Sequence, residues 1–161
     1  SGIGKTTLAR VISGLEAPDS GSLVIGGHME LSYLFQEDRL LPWLNVYDNM
    51  SIGLLKSGGL PDDISLKDDP VIKMAEALEI SDSLWKLPRQ LSGGMRHRAA
   101  LGRTFLARAN VMILDEPFRG LDAPLRSRII DRLWQKETET KTVIVITHEP
   151  GIFREKTIKM K

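Results

Sequence analysis

Leu91-Ser92-Gly93-Gly94-Met95 and, sixteen residues past Met95, Val111-Met112-Ile113-Leu114-Asp115-Glu116-Pro117 are the two stretches on which the fold turns. Ser92 is a good helix N-cap, and the residues after it repeat with a helical period. Met95, Ala99, Gly102, Leu106 and Ala109 fall on one face. A helix that starts at Ser-Gly-Gly presents unpaired backbone N–H groups with no Cβ at Gly93 or Gly94 in the way. Its dipole adds positive potential, so the tip suits a phosphate. In the second stretch four apolar residues run straight into two carboxylates. That pattern predicts a buried parallel strand delivering Asp115 and Glu116 to its C-terminal edge.

The chain has 161 residues, a formal net charge of +1 and 42% hydrophobic residues, enough to fill the core of one domain. No apolar run is long enough to span a bilayer, so any membrane link has to come through a partner. No signal-peptide pattern is visible at the N-terminus. The absence of cysteine excludes disulfides and thiolate metal sites. Near-neutral charge gives no global case for nucleic acid. The local cluster Arg89, Arg96, Arg98, Arg103 and Arg108 reads as a solvated helix face with structural ion pairs.

The N-terminal run Ser1-Gly2-Ile3-Gly4-Lys5-Thr6-Thr7 matches the end of the phosphate-loop pattern G-x-x-x-x-G-K-[ST], with Gly4 as its second glycine. The first glycine would fall before Ser1, and the chain reads as N-terminally cut inside this motif. A helix follows over Lys5–Ser13, with Leu8, Val11, Ile12 and Leu15 on its apolar face and Gly14 as the stop. Short strands are expected at Leu23–Ile25 and Leu31–Phe35. Helices are expected from Asn45 to about Lys56, near Val71–Leu78 and over Ser81–Leu87, with a polar loop at Ser57–Asp69. After the acidic strand, Asp122 caps a helix that tolerates Pro124 in its first turn and buries Leu125, Ile129, Ile130 and Leu133. Thr142–Thr147 reads as another buried parallel strand, and Thr157–Met160 as a last edge strand. The alternation predicts an α/β core over 1–36 and 109–161, carrying a helical segment over 37–108.

These residues suit phosphoryl transfer, which is mostly positioning and charge neutralisation. Gly2 and Gly4 leave room for backbone N–H groups around phosphates, and Lys5 brings an ammonium to the β- and γ-phosphates. Thr6 offers a hydroxyl to Mg²⁺ and Thr7 a contact to the α-phosphate. Asp115 is the expected outer Mg²⁺ ligand, and Glu116 the group that orients and deprotonates the attacking water.

Together the motifs resemble the phosphate loop, signature sequence and Walker B strand of ATP-binding-cassette (ABC) ATPases, over nearly the whole chain. The resemblance implies a P-loop NTPase core of RecA type, with a mostly parallel sheet and a helical subdomain, and first strands missing. It implies ATP and Mg²⁺ as cofactors, with Ser1 in the phosphate loop alongside Gly2, Gly4, Lys5, Thr6 and Thr7. Three further positions come from it. Gln36, in Leu34-Phe35-Gln36-Glu37, matches the glutamine that contacts Mg²⁺ and the water. Asp122, in Gly120-Leu121-Asp122, matches the loop that reaches across the dimer. His148 matches the switch histidine that bonds the γ-phosphate.

Two copies would pair head to tail, so that Ser92, Gly93 and Gly94 meet the nucleotide held by the other copy. Met95 stands where many members have glutamine, His97 where glutamine is frequent two positions on, and Glu149 where aspartate is commoner. The upstream glycine and an adenine-stacking aromatic are absent, so the chain as written is expected to bind ATP poorly.

The segment between Gln36 and Ser92 is short and has no heptad run, unlike DNA-repair relatives. Leu40-Leu41-Pro42-Trp43, and Asp115-Glu116-Pro117-Phe118 leading to Leu121-Asp122-Ala123-Pro124, resemble bacterial importer ATPases, above all the nitrate/sulfonate/taurine type. That implies a motor subunit on the cytoplasmic face of a membrane, with a permease and an extracytoplasmic solute-binding protein as partners and no nucleic acid. Trp43 reads as core packing, or else as part of the permease-facing surface. A soluble ABC ATPase without a membrane partner and an inactive fragment are the other two readings.

Overall fold

The computed structural model describes residues 4–55, 68–134 and 139–149. Its centre is a three-stranded, all-parallel sheet in the order β1 (Leu31–Leu34), β2 (Val111–Asp115), β3 (Thr142–Ile146). Leu31 pairs with Val111, which pairs with Thr142, so the three strands run in step to their C-terminal ends. The central strand is covered on both faces, the reason its sequence is an unbroken apolar run rather than an alternation. On one face Met112 and Leu114 enter the main core; on the other Ile113 meets Ala9 and Ile146. All three β2 side chains are fully buried. Each contributes about 1.5–3 kcal/mol relative to an exposed position.

Helix α1 (Lys5–Ile12) lies on the Ile113 face. The other helices belong to the Met112 face: α2 (Val46–Ser51), α3 (Pro70–Ala77), α4 (Gly93–Leu106) and α5 (Ala123–Ile129), which continues as a π-helical turn to Trp134. Caps explain most of the starts. Asn45 accepts from Asp48 N–H, Asp69 from Val71 N–H, Ser92 from Met95 N–H and Asp122 from Leu125 N–H. Gly102 lets α4 approach its neighbours: a Cβ there would sit 2.6 Å from Met50 Cε and 2.9 Å from Leu78.

Six expectations change. Leu23–Ile25 forms no strand; Val24 is 86% exposed, because no described strand pairs with that segment's hydrogen-bonding groups. Helix α1 buries Ala9 and half-buries Ile12, while Leu8 and Leu15 stay exposed, since its contact with the sheet is narrow. Ser81–Leu87 contains only a 3₁₀ turn over Ser81–Ser83, followed by another over Pro88–Gln90. Strand β3 is parallel as expected, but only Ile146 is buried, because β3 is the edge of the described sheet. Ala109 lies past the end of α4, and Trp43 is 71% exposed, which removes it from the core. The Ser57–Asp69 loop up to residue 67 and the Thr157–Met160 strand lie outside the described residues.

Candidate functional site

The C-terminal edge of the sheet gathers groups from four separate parts of the sequence. Gly4 caps α1 with φ of 81°, a left-handed conformation that suits glycine, and no side chain occupies the cap position. From the first turn of α1, Thr6 Oγ1 donates to Asp115 Oδ2 at 2.9 Å, with Asp115 almost fully buried. Lys5 Nζ reaches the carbonyl of Thr147 at 3.4 Å, just past the end of β3. Thr7, also on α1, is exposed. Gln36 follows β1 and lines a cleft of about 50 Å³ together with Thr6, Tyr33, Arg39 and Asp115. Burial first, then the Asp115 charge, raises the pKa of the Tyr33 phenol and keeps it neutral.

Glu116 takes a left-handed backbone conformation, φ 54°, which costs a non-glycine residue on the order of 1–3 kcal/mol. Its N–H donates to Ile146 O at 2.8 Å, tying the end of β2 to the end of β3. Its carboxylate Oε1 lies 2.8 Å from His148 Nδ1, and Thr147 Oγ1 is 3.5 Å from Oε2. The glutamate side chain is mostly buried while the histidine side chain is 67% exposed. The pair therefore sits at a boundary: an acid held in place and an imidazole facing outward. After the histidine, Glu149 pairs with Arg126 of α5 and anchors the end of β3.

The donors present fit a hard cation bound together with a polyphosphate. Among the described residues no group of three His, Cys, Asp or Glu could hold a metal by itself. The Thr6 hydroxyl, the Asp115 carboxylate and the nearby Gln36 amide form an all-oxygen set of low charge, the kind Mg²⁺ shares with phosphate oxygens and water. Gly4, with nothing within 4 Å of a Cβ position, leaves space for the phosphates.

Ser92, Gly93 and Gly94 stand apart from this edge. Ser92 Oγ caps its own helix, accepting from Met95 N–H at 3.2 Å. A Cβ on Gly94 would lie 3.6 Å from the Gly120 carbonyl, so the tip and the Gly120-Leu121-Asp122 turn are neighbours. The Asp122 carboxylate is engaged in capping α5, at 2.7 Å from Leu125 N–H. No hydrogen bond or ion pair among the described residues joins the tip to Thr6, Asp115 or Glu116. Ser1 and Gly2 lie outside the described residues.

Sequence reasoning missed the inward face of α4. His97 is 2% exposed and bonds Asp38 and the Pro117 carbonyl. The signal was present: His97, Ala100, Leu101, Thr104 and Phe105 follow the same helical period as the buried face. Three of the clustered arginines clasp backbone carbonyls. Arg96 donates to Leu91 O, Arg98 to Leu78 O and Glu79 O, and Arg103 to Asp38 O and Arg39 O. Burial lowers the pKa of Arg103.

A phosphate-cradling helix start, a Thr–Asp oxygen pair and an acid–histidine pair on one parallel-sheet edge define a P-loop nucleotide-binding cassette. The family model for ABC transporters matches residues 1–119, and the chain belongs to that family. It is 40% identical over 159 residues to the maltose/maltodextrin import ATP-binding protein of Vibrio cholerae, covering 92% of this chain and 42% of that protein. It is 37% identical to the aliphatic sulfonates import ATP-binding protein of Rhodopseudomonas palustris, covering 92% and 53%. The sn-glycerol-3-phosphate import ATP-binding protein of the same species is 39% identical, with 92% and 43% covered. The chain thus spans about half, or less, of the length of these curated relatives. Its fold matches the ATP-binding cassette MJ0796, solved as a dimer in a post-hydrolysis state with ADP and Pi. The TM-score is 0.79 at 24% identity, covering 92% of this chain and 71% of that one.

Proposed function

We propose that this domain binds and hydrolyses ATP with Mg²⁺, as the motor of an importer. The observation that carries the reading is the convergence of two pairs, Thr6–Asp115 at 2.9 Å and Glu116–His148 at 2.8 Å, on adjacent strand ends. Mg²⁺, when bound, would draw charge from the β- and γ-phosphates, held by Thr6, Asp115 and Gln36. Gly4, with Ser1, Gly2 and Thr7, would line the phosphate path, and Lys5 would add a positive charge beside it. Glu116, held by Ile146 and paired with His148, orients a water and accepts its proton. His148, exposed beside Glu116, would bond the γ-phosphate.

Ser92, Gly93, Gly94 and Asp122 would act across a head-to-tail pair, completing the partner's site rather than their own. The core over 1–36 and 109–161 would carry nucleotide chemistry, and the segment over 37–108 would transmit it. Among the described residues no helix is long and apolar enough to cross a membrane. By analogy with the importer proteins it resembles, a permease would supply the membrane contact, with this domain on its cytoplasmic side and a solute-binding protein opposite. The exposed Trp43 suits the permease-facing surface. Leu40-Leu41-Pro42-Trp43 carries the narrower nitrate/sulfonate/taurine reading. Identities of 40% to a maltose, 37% to a sulfonate and 39% to a glycerol-3-phosphate importer protein favour no one solute.

The deciding experiment is Glu116→Gln in the intact protein. Phosphate release should fall about a hundredfold or more while ATP binding persists. Wild-type turnover in that variant would sink the assignment.

A further inference from the structure

We propose that His97 is a positioning residue for hydrolysis, clamping the loop after Glu116 to the segment after Gln36. The proposal rests on the reading of Glu116 and Gln36 just given. His97 projects from the first turns of α4 into the core and is 2% exposed. Its Nδ1 lies 3.0 Å from Asp38 Oδ1 and its Nε2 3.0 Å from the Pro117 carbonyl oxygen. Both partners are oxygen acceptors, so each ring nitrogen faces one of them. Asp38 is two residues past Gln36, and Pro117 directly follows Glu116. One side chain thus spans the two segments that present the nucleotide-sensing amide and the acid.

The surroundings reinforce the clamp. Arg119 approaches Asp38 at 3.7 Å and Arg96 at 4.0 Å, and Arg103 holds the Asp38 and Arg39 carbonyls at 3.1 and 3.0 Å. The 38–39 segment is therefore pinned to α4 by side chain and backbone alike. Glu116 needs such support, because its left-handed backbone relaxes unless its neighbours hold it. Ile146 holds Glu116 from β3 and Arg119 N–H bonds its carbonyl, while His97 holds the next residue from α4. A leucine at position 97 would fill the volume yet leave a carboxylate and a carbonyl without this donor. Such a change would misplace the acid while leaving the phosphate cradle intact.

The test uses His97→Leu, His97→Gln, Asp38→Asn and the Leu/Asn double variant in the intact protein, each with a thermal melt. His97→Leu should lower kcat about tenfold or more, with the KM for ATP within about twofold. His97→Gln, whose amide carries two N–H donors, should recover most of the loss. The double variant should lose no more than its worse single parent, because both changes open one bridge. If His97→Leu fails to fold, Asp38→Asn carries the kcat-against-KM test alone. A folded His97→Leu with wild-type kcat, a loss His97→Gln does not recover, or additive losses would each overturn the proposal. Glu116→Gln run in parallel separates the two readings. Wild-type turnover there removes the base reading beneath the clamp. Lost turnover there beside an unaffected His97→Leu removes the clamp alone.

Discussion

The sheet edge and the α4 tip are both phosphate-suited, yet they are built in opposite ways. At the edge, residues far apart in sequence hold one another: Thr6 with Asp115, Lys5 with Thr147, Glu116 with His148 and Ile146. At the tip, Ser92 bonds only within its own first turn, and a Cβ on Gly93 would meet nothing nearer than an arginine side-chain nitrogen at 3.8 Å. The groups at the edge find their partners within the one chain. At the tip Ser92 and Gly93 are exposed, and among the described residues the Ser92 hydroxyl is held only by its own helix. The difference teaches that long-range pairing builds the edge, whereas local cap chemistry beside an open glycine builds the tip.

Ser92→Arg should have the largest effect on this contrast. The arginine would crowd the open tip, and ATP-driven pairing of two intact proteins should be abolished in a sedimentation experiment. Loss of the cap costs the fold only about 1 kcal/mol, so ATP binding to the single protein should survive. Pairing that persists would break the comparison by showing that the tip is not the shared surface. Lys5→Ala addresses the other half. Removing the ammonium beside the phosphate path should weaken ATP binding at least about tenfold, read by titration calorimetry. Unchanged affinity would mean that the edge binds nucleotide without this charge.

The same contrast explains what could be read in advance. Helix α4, its Ser92 cap, strand β2 and the Asp122 cap were legible because local rules decide them: period, cap chemistry and an apolar run ending in acids. Placement of Asp115, Glu116 and His148 at one edge followed from parallel strands in register. The left-handed Glu116 and the His97 bridge were not legible, because contacts from distant segments impose them. Leu23–Ile25 misled for the converse reason. Its apolar triplet has strand character, but a strand exists only with a partner, and none of the described strands pairs with it. Leu8 and Leu15 misled because period identifies a face without saying how much of it a neighbour covers.

The smallest expected effect concerns the packing behind the tip. Tyr47 Oη donates to Asp69 Oδ2 at 2.6 Å, and the other oxygen of Asp69 caps α3 at 2.7 Å from Val71 N–H. Tyr47 also stacks on Trp85, with ring centroids 5.2 Å apart. The hydrogen bond to Asp69, then burial, raises the phenol above its ordinary value of 10.0. The folded state therefore favours the neutral phenol. Its contribution is complete below about pH 10 and fades as pH rises through the folded value, since the unfolded chain gives up that proton first. Tyr47→Phe should lower stability by roughly 1 kcal/mol at neutral pH, because the site is partly exposed. It should also flatten the loss of melting temperature above about pH 10, since the titrating group is gone. Turnover at saturating ATP should not change, because no element of the sheet edge depends on this bond. A fall in turnover would instead tie α2 and α3 to the chemistry and erase the line between a self-held edge and a passively supported tip.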